Sequence, residues 1–387
     1  MKVLLLAYDL GLQGGIGTFN YELALELSKH IDVTVIIRGR LSGCRDRDKL
    51  RLCTFWSPQT PPKDVWFYTL NAQRILSLAN REGSDLIHDS SSALGLLPYL
   101  DRLAPVVATV HGSPMLGYLR SLYSSLRDRA RFRLFEFSHK VPSAVLSFFH
   151  KPRVGRLVFV SRSCIADALV HTPPREREEL RRRSVVIYNG LSIERVRRSV
   201  DRVDSNSASV VFVSRLMEYK GGFRLVKAFV HVVEEVKDTV LHVIGEGPEG
   251  PLLRELVRKL GLEKHVIFHG WLGRRETLRV IASSRILTHP SLYESFGYVI
   301  AEAYALGKPV VAHRASYSLE LVENFGAGLV VNTFDEKRYA EALMTLLTDD
   351  NLYRRLSQRA LATAEEYFDI RRTAEEYLRV YREVVGE

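Results

Sequence analysis

The stretch SLYESFGYVIAEAYALGKPVV, residues 291–311, decides how the rest of the chain is read. It carries two glutamates, Glu294 and Glu302, with seven residues between them. Glu294 precedes an expected helix and Glu302 lies inside it, with Ser295, Phe296 and Gly297 where the helix begins. The first amides of a helix lack intrahelical partners and carry the positive end of its dipole. Such a start is suited to a phosphate. A carboxylate on either side of a phosphate cradle suits a ligand with hydroxyls at both ends and phosphate between, as in a sugar nucleotide. The competing reading is an ordinary strand–loop–helix unit with solvated glutamates.

Working outward, the pattern is strand then helix, repeated along 387 residues, enough for two domains. VLLLAYDL, DVTVIIRG, LRLCTFW, SDLIHD, APVVATVHG, RLVFVSRS and SVVIYNG read as strands before residue 200. SVVFVSRL, TVLHVIGEG, HVIFHGW, RILTHPS, KPVVAHR and AGLVVN read as strands after it. Many are nearly continuous apolar runs, as expected where helices cover both faces of a parallel sheet. The polar run DRVDSNSAS, residues 201–209, reads as a linker. The expected fold class is therefore α/β, with two doubly wound Rossmann-like domains across a cleft, residues 1–200 and 208–365. Ligands of such sheets bind beyond the carboxyl ends of strands.

Hydrophobic content of 46% and charged content of 26% are those of a soluble globular protein. The N-terminal apolar run reads as a first strand, not a signal peptide, and no stretch has the length of a membrane span. Cys44, Cys53 and Cys164 have no metal-ligand spacing and read as thiols of a reducing, cytoplasmic setting. The net charge is +10, but residues 101–200 alone hold 19 Lys and Arg against 8 Asp and Glu, a local net of +11. Such asymmetry points to an anionic partner surface.

Several turns could carry chemistry. Gly14 and Gly15, in the GGIG turn after the first strand, let backbone approach a ligand. The turn lacks the full GxGxxG spacing, so a dinucleotide is not expected there. His111 ends the strand APVVATVHG, where a cleft residue belongs. Arg215 and Lys220, in SRLMEYKGG, could place two cations at one mouth and neutralise a leaving diphosphate without a metal. Gly245, in GEGP, and His269-Gly270-Trp271 read as loops approaching a base or phosphate. Asp46-Arg47-Asp48 has the spacing of a metal–nucleotide site but reads as charged surface.

Taken together, GGIGTF, VHG, FVSRS, YNG, SRLMEYKGG, GEGP, FHGW and ESFGYVIAEAYALGKPVVA resemble glycosyltransferase family 4, retaining enzymes of the GT-B fold. The resemblance implies a nucleoside-diphosphate hexose donor, UDP- or GDP-linked, and an acceptor hydroxyl. It implies Glu302 on the ribose and the amides of Phe296, Gly297 and Tyr298, with Ser295 and Gly15 nearby, on the diphosphate. It implies Arg215 and Lys220 on the leaving phosphate, and Glu294 and His111 on hydroxyls of the moving sugar, with no metal required. It further implies that the last helix, residues 366–387, packs on the first domain.

Two features depart from the family pattern. His313-Arg314 stand where turn glycines are usual, with Glu320 keeping an acidic position. The basic region 120–156 interleaves arginines with aromatics and reads as a surface for an anionic membrane bearing a lipid-linked or saccharide acceptor. A cytoplasmic protein, peripheral on the inner membrane face, is the resulting expectation, and nucleic acid is not an expected partner. A sugar-nucleotide epimerase and a non-catalytic sugar-nucleotide-binding subunit are the alternatives on the same fold.

Overall fold

The computed structural model describes residues 1–8, 10, 14–58, 63–91, 100–112, 154–200 and 208–387. The basic region 120–156 lies outside the described residues except at its last three positions, as does most of the polar run 201–209.

The chain forms two compact units, Met1–Asn189 with Ile370–Glu387, and Gly190–Asp369. The change of unit falls at Asn189, ahead of the polar run. The reason is local: the helix Ile193–Ser199 buries Ile193 and Val196 within the second unit.

In the first unit the strands are β1 (Lys2–Tyr8), β2 (Asp32–Gly39), β3 (Gly43–Arg47), β4 (Leu50–Trp56), β5 (Leu86–Asp89), β6 (Val106–Val110), β7 (Arg156–Phe159) and β8 (Ser184–Val186). They make one sheet in the order β3-β4-β2-β1-β5-β6-β7-β8. Leu4, Leu5 and Leu6 of the central β1 are fully buried, so this strand is apolar on both faces. All pairings are parallel except β3 with β4. Helices α1 (Gly15–Leu27), α2 (Lys63–Glu82), α3 (Arg162–His171) and α4 (Pro174–Arg183) lie between strands.

Edge strand β3, GCRDR, was not expected as a strand. All five residues are exposed, so no apolar alternation marks it. It puts Asp46 and Arg47 on the surface, and Asp46 pairs with Arg51 at 3.2 Å. It also sets Cys44 directly opposite Cys53, and the two sulfurs are bonded. The expectation of three thiols is thereby corrected: Cys164 alone stays outside a disulfide, and it is buried.

The second unit has helix α5 (Ile193–Ser199), then β9 (Ser209–Val213), α6 (Gly222–Glu235), β10 (Val240–Ile244), α7 (Gly250–Lys259), β11 (Val266–Gly270) and α8 (Arg274–Ser283). These are followed by β12 (Ile286–His289), α9 (Tyr298–Ala305), β13 (Val310–His313), β14 (Gly328–Val331), α10 (Glu336–Thr348) and α11 (Asp350–Tyr367). The sheet is wholly parallel, in the order β11-β10-β9-β12-β13-β14. Leu225, Val226, Phe229 and Val232 of α6, at three-to-four spacing, bury one face on the core with Phe212 of β9 and Leu343 of α10. Leu191 donates its N–H to Phe368 O, so the chain enters and leaves this unit side by side.

The last helix, α12 (Ile370–Val385), belongs to the first unit. Tyr377 and Tyr381 are fully buried in it, and their hydroxyls meet Thr109 Oγ1 at 2.8 Å and His88 Nδ1 at 2.7 Å.

Candidate active site

In the second unit the sheet ends in loops that are bonded to one another through backbone. Ser214 donates its N–H to Ile244 O at 3.0 Å, Leu216 to Glu246 O at 3.0 Å, and Gly245 to Gly270 O at 2.7 Å. Gly245 has φ +122°, and a Cβ there would lie 2.0 Å from Ser214 O. A Cβ on Gly247 would lie 2.3 Å from Leu216 O. The glycines of GEGP are therefore demanded by the packing of this loop against the next.

Lys220 ends a single 3-10 turn, Glu218–Lys220, rather than starting a helix. Gly221 follows with φ +83°, and a Cβ there would meet Pro290 O at 2.6 Å. Leu292 N–H donates to Tyr219 O at 2.8 Å. This close approach carries Lys220 to the loop after β12, 74 residues further along the chain, where its Nζ makes an ion pair with Glu294 Oε1. His289, at the end of β12, is 2% exposed and places Nε2 3.2 Å from the same oxygen. Tyr317 OH donates to the carbonyls of Ser291, at 2.8 Å, and His289, at 3.2 Å, and pins the loop.

Burial alone would raise the Glu294 carboxyl. The charge of Lys220 and the hydrogen bonds from His289 and Lys220 outweigh it and hold the group at about 2. Glu294 is thus an ionised acceptor at neutral pH.

Gly297 caps α9 in the left-handed conformation, φ +73° and ψ +64°. The turn places Ser295 and buried Phe296 just ahead of the helix amides, and Tyr298 OH donates to Gly190 O at 3.1 Å. One turn into α9, Glu302 is 9% exposed, and its Oε1 lies 3.1 Å from Arg274 Nε in the first turn of α8. Both side chains of this pair are nearly buried, at 13% and 11%. The two glutamates of the opening stretch are therefore each held by a different cation.

Arg215 is exposed and makes no ion pair among the described residues. His269 Nε2 lies 3.0 Å from His242 Nδ1, and Trp271 beside it is 53% exposed. His313 is buried, takes the N–H of Thr333 on Nδ1 at 3.2 Å, and is pushed down to about 4 by burial and by Arg224. Glu320 is buried in the π-helical turn Leu319–Asn324.

Three of the expected site residues, Gly14, Gly15 and His111, stand in the first unit. Gly14 is the N-cap of α1 with ordinary extended backbone, and a Cβ there would meet nothing within 4 Å. Gly15 opens the helix. His111 follows β6 with Nε2 2.8 Å from Ser90 Oγ, and burial lowers it to about 4. Among the described residues no group of three His, Cys, Asp or Glu could hold a metal ion.

Two partners of the site, Arg274 and His289, carry no signal in the sequence. Arg274 lies 28 residues from Glu302 on another helix, and His289 reads as an ordinary strand-end residue. Neither has a motif around it to mark the pairing.

Comparison with known proteins follows the two units. The family description "Glycosyltransferase Family 4" matches residues 13–195, and "Glycosyl transferases group 1" matches residues 195–363. The alpha-D-kanosaminyltransferase of Streptomyces kanamyceticus is 25% identical over 313 residues, 76% of each chain. The D-inositol 3-phosphate glycosyltransferase of Corynebacterium efficiens is 35% identical over 185 residues, 46% of this chain and 43% of that one. Against this relative the chain spans less than half of its length. Anabaena Alr3699/HepE, solved in complex with UDP, superposes with a TM-score of 0.71 at 20% identity, covering 99% of this chain and 100% of that one. The fold is that of GT-B glycosyltransferases, two doubly wound α/β units. With one family description on each half, meeting at residue 195, the chain belongs to the glycosyltransferases of family 4.

Proposed function

We propose that this chain moves a hexose from a nucleoside-diphosphate sugar, UDP- or GDP-linked, to an acceptor hydroxyl with retention of anomeric configuration. The observation that carries the reading is the pair of nearly buried carboxylates on one loop and helix, each held by a cation: Lys220 on Glu294, with His289 hydrogen-bonded to the same oxygen, and Arg274 on Glu302. A second support is that Anabaena Alr3699/HepE has been solved in complex with UDP and with UDP-glucose.

Glu302 accepts the ribose hydroxyls. The amides of Phe296, Gly297 and Tyr298, beside Ser295, face the diphosphate at the start of α9. Lys220 and Arg215 offset the charge that grows on the leaving phosphate. Glu294 accepts a hydroxyl of the sugar: a group held at about 2 gives up no proton at neutral pH and so is no general acid. Gly14, Gly15 and His111 are assigned to the diphosphate and the sugar, and Gly245 to backbone contact with the nucleotide. In the transfer the sugar C1–O bond to phosphate breaks and a C1–O bond to the acceptor forms on the same face. The acceptor proton passes to the departing phosphate oxygen.

The test is a panel of UDP-, GDP- and ADP-sugars, read by hydrolysis and by thermal shift. UDP- or GDP-sugars should respond, and silence from every donor overturns the assignment. Product NMR with the responding donor should show retained anomeric configuration.

We also propose a lipid-linked or saccharide acceptor and peripheral attachment to the cytoplasmic membrane face, on the arginine-rich sequence 120–156. Reversing the arginines at 127–133 should abolish binding to anionic vesicles, and binding that persists removes this reading.

A further inference from the structure

The turn that presents His111 is backed by a polar relay whose proton positions can be worked out. Asn20, in the second turn of α1, is fully buried. Its Nδ2 donates to Ala7 O, at the end of β1, at 3.3 Å. That contact orients the amide, because a carbonyl can only accept. Asn20 Oδ1 then faces Ser90, whose Oγ donates to it at 2.5 Å. A serine hydroxyl has one proton to give. Having given it to Asn20, Ser90 can only accept from His111 Nε2, 2.8 Å away.

His111 is therefore the Nε2–H tautomer, and its Nδ1 carries a lone pair. That Nδ1 is buried and has no hydrogen-bond partner among the described residues. Phe19 packs edge-on against the ring, 5.5 Å between centroids at 68°. Burial keeps the ring neutral at pH 7, so the lone pair is free at the working pH. A buried acceptor without a partner costs free energy unless something donates to it.

We propose that Ser90 and Asn20 are positioning residues that lock the tautomer of His111, so that its Nδ1 offers an acceptor, never a donor, to a hydroxyl of the transferred sugar. The sugar half of this inference rests on the placement of His111 at the donor; the tautomer lock does not. A sugar lacking that hydroxyl leaves Nδ1 unpaired and is disfavoured, by about tenfold for a hydrogen bond of ordinary strength.

The test is a long-range 1H–15N correlation spectrum of the full chain labelled with 15N-histidine, at pH 7. The wild type should show His111 protonated on Nε2 alone. Ser90→Ala should give exchange-averaged tautomers or the Nδ1–H form, and Ser90→Thr, which keeps the hydroxyl, should restore the wild-type pattern. An averaged or Nδ1–H ring in the wild type overturns the lock, as does a Ser90→Ala spectrum identical to wild type. Asn20→Leu serves as the second variant should Ser90→Ala fail to fold.

Adding UDP-glucose should move the Nδ1 resonance, while UDP alone should leave it in place. Binding of UDP-glucose without movement of that resonance overturns the sugar contact. Calorimetry separates the two failures: if neither UDP nor UDP-glucose binds, the UDP-linked donor falls, the titration is repeated with the GDP-sugar, and the spectra without nucleotide still decide the lock.

Discussion

Glu294 and Glu249 are carboxylates of the same unit with opposite titration. Glu294 is held at about 2 because Lys220 and His289 outweigh burial. Its contribution to stability is complete above pH 4.5, the unfolded value, and is lost as pH falls towards 2. Glu249 is raised to about 7 by burial and by Glu218, against the pull of Arg224. The native chain holds that proton between pH 4.5 and 7 while the unfolded chain releases it. Stability from this group is therefore full below 4.5 and falls as pH rises through 7. Glu249→Gln should raise the melting temperature at pH 8 and match wild type at pH 4. Glu294→Gln should lower it at pH 7, with the difference shrinking below pH 4. Melting curves across pH check both, and slopes of the same sign for the two variants would contradict the assignment.

Glu302 offers a sharper test, because its two roles separate. Glu302→Gln takes the carboxylate from Arg274, a change in a nearly buried pair worth about 3 kcal/mol of stability. On the proposed ribose role it should also weaken UDP binding by about tenfold or more, since a charged acceptor is lost. The double variant Arg274→Met, Glu302→Met should regain much of the stability, because a buried ion pair replaced by apolar groups is often neutral. It should not regain UDP affinity, as measured by calorimetry. Recovery of both would place Glu302 outside the nucleotide site.

At the scale of loops and strands, the glycines divide into two kinds. Gly245→Ala puts a Cβ 2.0 Å from Ser214 O at φ +122° and should cost about 3 kcal/mol or more, seen as loss of the second unit's melting transition. Gly14→Ala meets open space at an ordinary φ and should leave stability within about 0.5 kcal/mol. If backbone at Gly14 approaches the diphosphate, the same substitution should still weaken UDP-glucose binding. The sequence motif shows both glycines alike; only the surrounding carbonyls tell the packing glycine from the open one.

The same limit governs which elements leave a signal in the sequence. The thirteen strands expected from sequence are all present, and the central ones are nearly continuous apolar runs, as burial on both faces of a parallel sheet favours. Strand β3 was missed because an exposed edge strand needs no apolar pattern, and with it the Cys44–Cys53 bond. Glu294, Glu302 and Lys220 were legible because they sit in a dense motif. Their partners Arg274 and His289 were not, since pairing across 28 residues or from a strand end is set by the fold alone. The relay Asn20–Ser90–His111 joins three strand-end or helix positions 70 and 21 residues apart and leaves no local signature.

On the scale of the molecule, the chain starts in the first unit, builds the second, and returns with α12. That return is structural for the first unit. Tyr377 and Tyr381 are fully buried; Tyr381 OH pairs with His88 Nδ1, and Tyr377 OH joins Thr109 Oγ1, which also meets His88 Nε2 at 2.7 Å. His88 is held at about 3 by burial, so it stays neutral and cannot relieve the loss by ionising at pH 7. Ending the chain at Asp369 therefore removes two large core side chains and takes the partner from His88 Nδ1, at a cost of about 5 kcal/mol or more. The second unit, Gly190–Asp369, loses no residue by this cut. Calorimetry of the full chain should show the transitions of both units, and that of residues 1–369 should lack the first unit's. If UDP binds the unit that carries Glu302, as proposed, it identifies which transition survives, because it raises that unit's melting temperature with concentration. Survival of both transitions in the shortened chain would show that α12 is dispensable to the core it closes.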